Sequence, residues 1–356
     1  MIIYADTDVC DHWVEQNHPN IIKNFNEYLG SPGQKLAIFH APFPRHLDFE
    51  HLVWIFNQAY DVSEKIILLV TELHDVTVDF IEKFDLPKII FFLNGDLNFK
   101  LKYAQTYHWD NWFETTASFY KNNLFLLDKL TPYVEKPKYF DILLGQKRLH
   151  RDEIFSYIKN NNLDGKNIMT YMPGLRPSFQ ERPQDEWLWE SEGLEIPDWA
   201  MRHTVSKVMY YNQLISLSQI IPINVYNQTA YSLVAETWGI DNRFTFNTEK
   251  IAKPILAERL FLVASNQYYL KNLRALGFKT FDSIIDESYD IEPDYRIRCQ
   301  MICEQLKFLM QRPQQQILEQ IKPITKHNKE LMLATDWHEN FTRQLKAVVL
   351  VHTEQN

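Results

Sequence analysis

The first hundred residues repeat one pattern: a short, unbroken apolar run rich in β-branched and aromatic residues, then a stretch with helical apolar spacing. The runs "MIIYAD", "KLAIFHAP", "KIILLVTELHD" and "KIIFFLNGD" alternate with stretches such as "FEHLVWIFNQAYDV" and "TVDFIEKF". Strands that are apolar on both faces need cover on both, and strands alternating with helices fold as a parallel sheet layered by helices. The fold class is therefore α/β, and an armadillo-like helical array is excluded. Each run ends in polar residues: Asp6 and Asp8, His40, Glu72 with His74 and Asp75, and Asn94 with Asp96. The carboxyl edge of a parallel sheet is where ligands bind, so these tips form one potential site. Asp and Asn at strand ends also serve simply to cap the following helices.

A chain of 356 residues exceeds what one core usually supports, so two domains are expected. "LTPYVEKPKYFDILLG" places two prolines before a fresh apolar strand, which sets the boundary near residue 135. The expected division is 1–135, 136–325 and a C-terminal helix over 326–356 that packs back on the N-terminal domain. Hydrophobic residues at 45% and charged residues at 23% suit a chain that folds throughout. The net charge of −9, with no dense basic run, disfavours a mainly electrostatic nucleic-acid binder. Cys10, Cys299 and Cys303 have neither zinc-site nor disulfide-framework spacing and read as reduced thiols. The N-terminus lacks the basic start and long apolar core of a signal peptide, and no stretch approaches the ~20 apolar residues of a membrane helix. A cytoplasmic protein without membrane insertion is expected.

In the second half, "YFDILLG" reads as a strand running into the helix "QKRLHRDEIFSYIKN". The turn between them holds Gly145, Lys147, Arg148, His150 and Arg151. Cations at a helix N-terminus oppose its dipole, which suits them to gripping an anion, although a solvated basic turn has the same composition. "NIMTYM" is a further strand, followed by a long Trp-rich loop over 173–203 in which Trp187, Trp189 and Trp199 serve as pins to the core or as sugar-stacking surfaces. "SKVMYYNQLISLSQII" has the spacing of a helix ended by Pro222, with strands expected at "INVYN" and "YSLVAET". "TEKIAKPILAERLFLVAS" reads as a helix from Glu249 to about Arg259, capped by Thr248, and then a strand. It places Glu249, Lys250 and Lys253 near a helix start, just beyond Glu236.

The glycine-rich dinucleotide fingerprint, the phosphate loop, "HExxH" and the nucleophile elbow are all missing, and only 9 glycines occur. Asp6-Thr7-Asp8 is the one "DxD" pair, and a turn is its ordinary use. What remains is a basic strand-to-helix turn and a second helix start carrying Lys250. That combination suits a diphosphate, and carboxylates nearby suit ribose or sugar hydroxyls. A nucleotide sugar has both.

The stretch "SLVAETWGIDNRFTFNTEKIAKPILAERLFLVASNQYYLKNLRALGFKTFDSIIDESYD" resembles the donor-binding segment of GT-B glycosyltransferases of the fucosyltransferase and exostosin-like kind. It is most similar to putative glycosyltransferases commonly encoded by bacteriophages. In those families a Glu-bearing strand precedes a "(T/S)EK" motif that opens a helix, and Glu236, Thr248, Glu249 and Lys250 match it. "KPKYFDILLGQKRLHRDEIF" is similar to the first strand and arginine-bearing turn of that donor domain. The resemblance implies two Rossmann-like domains facing a cleft, with Arg148 or Arg151 on the diphosphate.

It also implies transfer of a sugar from a nucleotide-sugar donor to an acceptor hydroxyl. Cations at Lys147, Arg148, Arg151 and Lys250 would stabilise the departing diphosphate without a cofactor or divalent metal. An inverting enzyme needs a base from the N-terminal domain, for which Glu72 comes first, then Asp75 and His74, with Asp6 and His40 behind. The acceptor is a glycan or small saccharide, or else a hydroxylated pyrimidine of phage DNA. A nucleotide-sugar-binding module without turnover is the non-enzymatic alternative.

Overall fold

The computed structural model describes residues 2–5, 21–41, 49–109, 111–174, 192–198 and 207–350. Asp6, Asp8, Cys10, Trp187, Trp189 and Trp199 lie outside them. The chain divides into two compact units. One comprises Met1–Asn111, Arg243–Phe246 and Asp336–Asn356, the other Trp112–Asn242 and Asn247–Thr335.

In the first unit, the four expected strands β1 (Ile2–Ala5), β2 (Lys35–Ala41), β3 (Lys65–Val70) and β4 (Ile89–Leu93) pair in parallel, and β5 (Gln105–His108) adds an edge. Their spatial order is their chain order. Each crossover therefore steps the same way, and right-handed connections then lay all the connecting helices on one face. Those helices are α1 (Phe25–Gly30), α2 (Phe49–Val62) and α3 (Asp75–Lys83). An aromatic seam marks this face: Tyr4 meets Phe25 at 5.1 Å, Phe39 meets Phe56 at 5.4 Å, and Phe56 meets Phe80 and Phe84 at 5.2 and 4.9 Å.

Such a sheet leaves its other face bare. The alternate residues Ile3, Ala5, Leu36, Ile38, Ile67, Leu69, Ile90 and Phe92 form that face, and the C-terminal helix Trp337–Leu350 buries Leu345, Val348 and Val349 against it. Phe341 from the same helix stacks on Trp109 at 4.6 Å and meets Phe92 edge-on at 5.7 Å. Asp96–Leu97 pairs antiparallel with Phe244–Thr245, which belongs to the same unit. Gly95 makes the approach possible: its φ is +123°, and a Cβ there would lie 2.1 Å from the Thr245 carbonyl oxygen.

The second unit is built on β6 (Lys138–Gln146), β7 (Ile168–Met172), β8 (Thr229–Ala235) and β9 (Phe261–Ala264), all parallel, in the order β9-β8-β6-β7. After β6 the chain steps to β7 on one side, then crosses to β8 on the other. The direction reverses between β6 and β8, and in open α/β sheets the ligand crevice opens at the carboxyl ends of such a pair. Its helices include α4 (Leu149–Asn160), α5 (Glu249–Leu256), α6 (Tyr269–Ala275), α7 (Tyr295–Met310) and α8 (Gln314–Ala334). α4 packs on α7, and α5 on α8. Two units, each built on a parallel main sheet, bear out the expected α/β class of two Rossmann-like domains.

Two local expectations are corrected. "SKVMYYNQLISLSQII" is no helix: Lys207–Tyr210 and Gln213–Ser216 form an antiparallel hairpin. Its turn residues Tyr211 and Asn212 have φ of 45° and 61°, the left-handed pair that matches strand twist in a two-residue turn. "INVYN" is not a strand but the single helical turn Ile223–Tyr226, which buries Ile223, Val225 and Tyr226. Among the described residues no helix is long and apolar enough to cross a membrane.

Candidate functional site

The expected donor residues of the second unit gather where the strand order reverses. β6 ends at Gly145 and Gln146, and Gly145, with φ +61°, takes a conformation that favours glycine at the register shift between Leu143 and Gln146 in the pairing with β7. Arg148 is the N-cap of α4 and has no acceptor with which to close the first turn. Lys147 beside it is exposed, 3.8 Å from Asp152.

Arg151 is turned inward. Only 6% exposed, it donates to the carbonyls of Gln146 at 2.9 Å, Ala235 at 3.0 Å and Glu236 at 2.9 Å. Its guanidinium thus clamps together the carboxyl ends of β6 and β8. Burial, with Arg148 close by, lowers its pKa to about 10, so it stays charged at neutral pH. His150 adds a second clamp by donating from Nε2 to the Glu236 carbonyl at 3.0 Å.

Glu236 closes β8 and is buried. Its carboxylate accepts from Thr248 Oγ1 at 2.6 Å and from Tyr269 Oη at 3.0 Å. Burial raises its pKa, against the lowering influence of Lys250 and the Thr248 hydroxyl. Glu236 is thereby partnered within the protein, and it holds Thr248 at the start of α5. Thr248 caps that helix as expected, accepting from the Lys250 amide at 3.1 Å. The helix ends at Leu256, three residues short of the expected Arg259, with Pro254 inside it.

Glu249, also buried, pairs with Lys250 at 3.0 Å. Burial pushes its carboxyl up, but Lys250 and Lys253 outweigh that and hold it below the usual range. The Lys250 ammonium further donates to Thr237 Oγ1 at 3.3 Å and Thr248 Oγ1 at 3.2 Å. Lys253 points to the Ser218 carbonyl at 2.7 Å, and burial lowers its pKa to about 8 despite Glu249. Lys147, Arg148, Arg151, Lys250 and Lys253 outnumber the acids Glu236, Glu249 and Asp152 around this edge, which favours an anion. Thr237, Trp238 and Tyr269 belong to the same assembly and carried no signal in the sequence beyond their place next to Glu236 or in "NQYYLKNL".

The base candidates lie on the first unit. Glu72 is half-buried two residues beyond β3. His74 is the buried N-cap of α3, its Nδ1 accepting from the Thr77 amide at 3.4 Å while Thr77 Oγ1 accepts from the His74 amide at 2.9 Å. Burial lowers its pKa, partly offset by Asp75. The ring lone pair that a base would use is thus engaged by the helix. Asp75 is exposed and accepts from the Val76 amide at 2.9 Å. His40 is half-buried at the end of β2. Among the described residues no three His, Cys, Asp or Glu side chains are grouped to hold a metal ion.

His150 gives a pH dependence with a definite sign. Burial, with Arg151 next to it, lowers its pKa from 6.5 to about 3. Between those values the unfolded chain holds a proton that the folded one does not, so stability falls as pH drops through that window. His150→Gln keeps a donor for the Glu236 carbonyl without the titration. Urea midpoints at pH 7 and pH 4.5 are expected to differ less in this variant than in the wild type.

The sequence matches no protein-family model and no curated protein. Among solved structures it is similar to an α,α-trehalose-phosphate synthase (UDP-forming) from Burkholderia vietnamiensis, with 13% identity and a TM-score of 0.36 over 90% of this chain and 68% of that one.

Proposed function

We propose that this chain is a glycosyltransferase that takes its sugar from a nucleotide-sugar donor held at the carboxyl edge of the second unit. The observation that carries the reading is the meeting of two helix starts with cations at the strand-order reversal. Arg148 opens α4 at the end of β6, and Lys250 opens α5 next to the end of β8. Backbone amides and cations so placed suit a diphosphate leaving group, on which negative charge builds during transfer. The hydroxyls of Thr237 and Thr248, which accept from Lys250, are the groups a phosphate oxygen would replace. Glu236, Arg151 and His150 are positioning residues in this reading.

The acceptor is a glycan or small saccharide, the base is Glu72, and the donor charge is met by side chains without a divalent metal. The helix cap occupies His74, and Asp75 stands second to Glu72. The test is a thermal-shift screen over sugar nucleotides and nucleoside diphosphates, since a ligand of the folded state raises its stability. At least one sugar nucleotide is expected to raise the melting temperature. Lys250→Ala is expected to abolish most of that shift and to leave the unliganded melting temperature within a few degrees. A shift that survives in Lys250→Ala and Arg148→Ala alike would place the ligand elsewhere.

A further inference from the structure

Trp238 is the residue directly after Thr237, whose hydroxyl accepts from Lys250, and it is half-buried. The Arg148 guanidinium lies 5.7 Å from the centre of its ring. The backbone around it is fixed from several sides. Ser265 Oγ donates to the Trp238 carbonyl at 3.2 Å, and the buried Arg298 donates to the Gly239 carbonyl at 3.1 Å. The His150 ring lies so close to Gly239 that a Cβ there would be 2.7 Å from its Cγ. An indole held on such a backbone loses little freedom when a second flat group stacks on it.

We infer that Trp238 is the stacking platform for the nucleobase of the donor, a further binding residue one step along the chain from the phosphate cluster. The inference rests on the nucleotide-sugar reading above. Thr237 and Trp238 are consecutive, so the platform and the phosphate cluster are carried on one segment at the end of β8. Arg148 serves both: its charge faces the phosphates, and its planar group braces the indole through a cation–π contact. Every base has a π-face, so stacking supplies affinity for nucleotides in general and is independent of the sugar.

The test is calorimetric titration of the wild type, Trp238→Ala and Trp238→Phe with UDP, GDP, ADP and inorganic pyrophosphate. Trp238→Ala is expected to lose on the order of tenfold or more in affinity for the preferred nucleoside diphosphate. Trp238→Phe, which keeps a ring, is expected to lose only a few-fold, and pyrophosphate should bind all three alike. Equal nucleotide affinity in Trp238→Ala and wild type would overturn the platform. So would an equal loss for pyrophosphate, which would mark Trp238 as a scaffold residue, or a wild type that binds pyrophosphate as tightly as any nucleotide. If Trp238→Ala does not fold, Trp238→Leu compared with Trp238→Phe decides the same point. A wild type that binds neither pyrophosphate nor any nucleotide would instead overturn the donor-site reading, and the platform with it.

Discussion

Removal of residues 336–356 is expected to cost the first unit its folded state. The reason lies in strand order: five parallel strands in chain order place their crossover helices on one face, and among the described residues of 2–109 only the partly buried Ile21, Tyr107 and Trp109 pack on the other, which needs further cover. Leu345, Val348, Val349 and Phe341 supply that cover. At ~1.5–3 kcal/mol per buried apolar side chain, the three buried ones contribute roughly 4.5–9 kcal/mol, to which the half-buried Phe341 adds, comparable to the ~5–15 kcal/mol by which a whole domain is stable. A protein ending at Thr335 should be insoluble, or bind a hydrophobic dye and lose its near-ultraviolet circular dichroism. The single change Leu345→Ala should cost about 2–5 kcal/mol in urea unfolding. A truncated chain with an unchanged unfolding midpoint would show that the helix is dispensable.

Arg259→Ala is expected to be the most damaging single substitution in the second unit. Arg259 lies in the interior near the amino ends of the strands, where it donates to Asp141 at 2.8 Å, to Ser232 Oγ at 2.9 Å, and to the carbonyls of Tyr226, Thr229 and Tyr231 at 2.9, 2.7 and 2.8 Å. Its guanidinium also lies 4.3 Å from the Tyr226 ring centre. Burial raises the Asp141 pKa, and the Arg259 charge is the main influence opposing it. Without the arginine a buried carboxylate loses its countercharge and three carbonyls lose a donor, which should cost about 3–5 kcal/mol. Lysine does not restore this, because its three hydrogens cannot serve the set of acceptors that the guanidinium fork reaches. Asp141→Asn in the Arg259→Ala background should recover part of the loss by removing the charge. A midpoint for Arg259→Ala within about 0.5 kcal/mol of wild type would contradict this view.

Legibility in the sequence followed a physical rule. Buried parallel strands are unbroken apolar runs, so β1 to β4 and β6 to β9 could be read directly, and Thr248 could be read as a cap from its place before Glu249. The hairpin at 207–216 could not. Val208, Tyr211 and Ile215 also fit helical spacing, and its turn, Tyr211-Asn212, lacks the glycine that usually marks one.

At the candidate site the residue types were legible and their directions were not. Arg148 and Arg151 look alike in sequence, yet one flanks Trp238 at the edge and the other is spent on three carbonyls inside. Nor could sequence name the partners of Glu236, since Tyr269 is 33 positions away. Glu236 and Glu249 are held by the protein itself, through Thr248, Tyr269 and Lys250.

The most direct test of the donor-site account is nucleotide release from a panel of sugar nucleotides, incubated with the purified chain and a mixture of saccharide acceptors. The account predicts release from at least one donor, continuing in the presence of EDTA. Lys250→Ala should slow it tenfold or more, as expected when a cation that meets leaving-group charge is removed, and Glu72→Gln should slow transfer to the acceptor. No release from any sugar nucleotide, with or without acceptor, would contradict it.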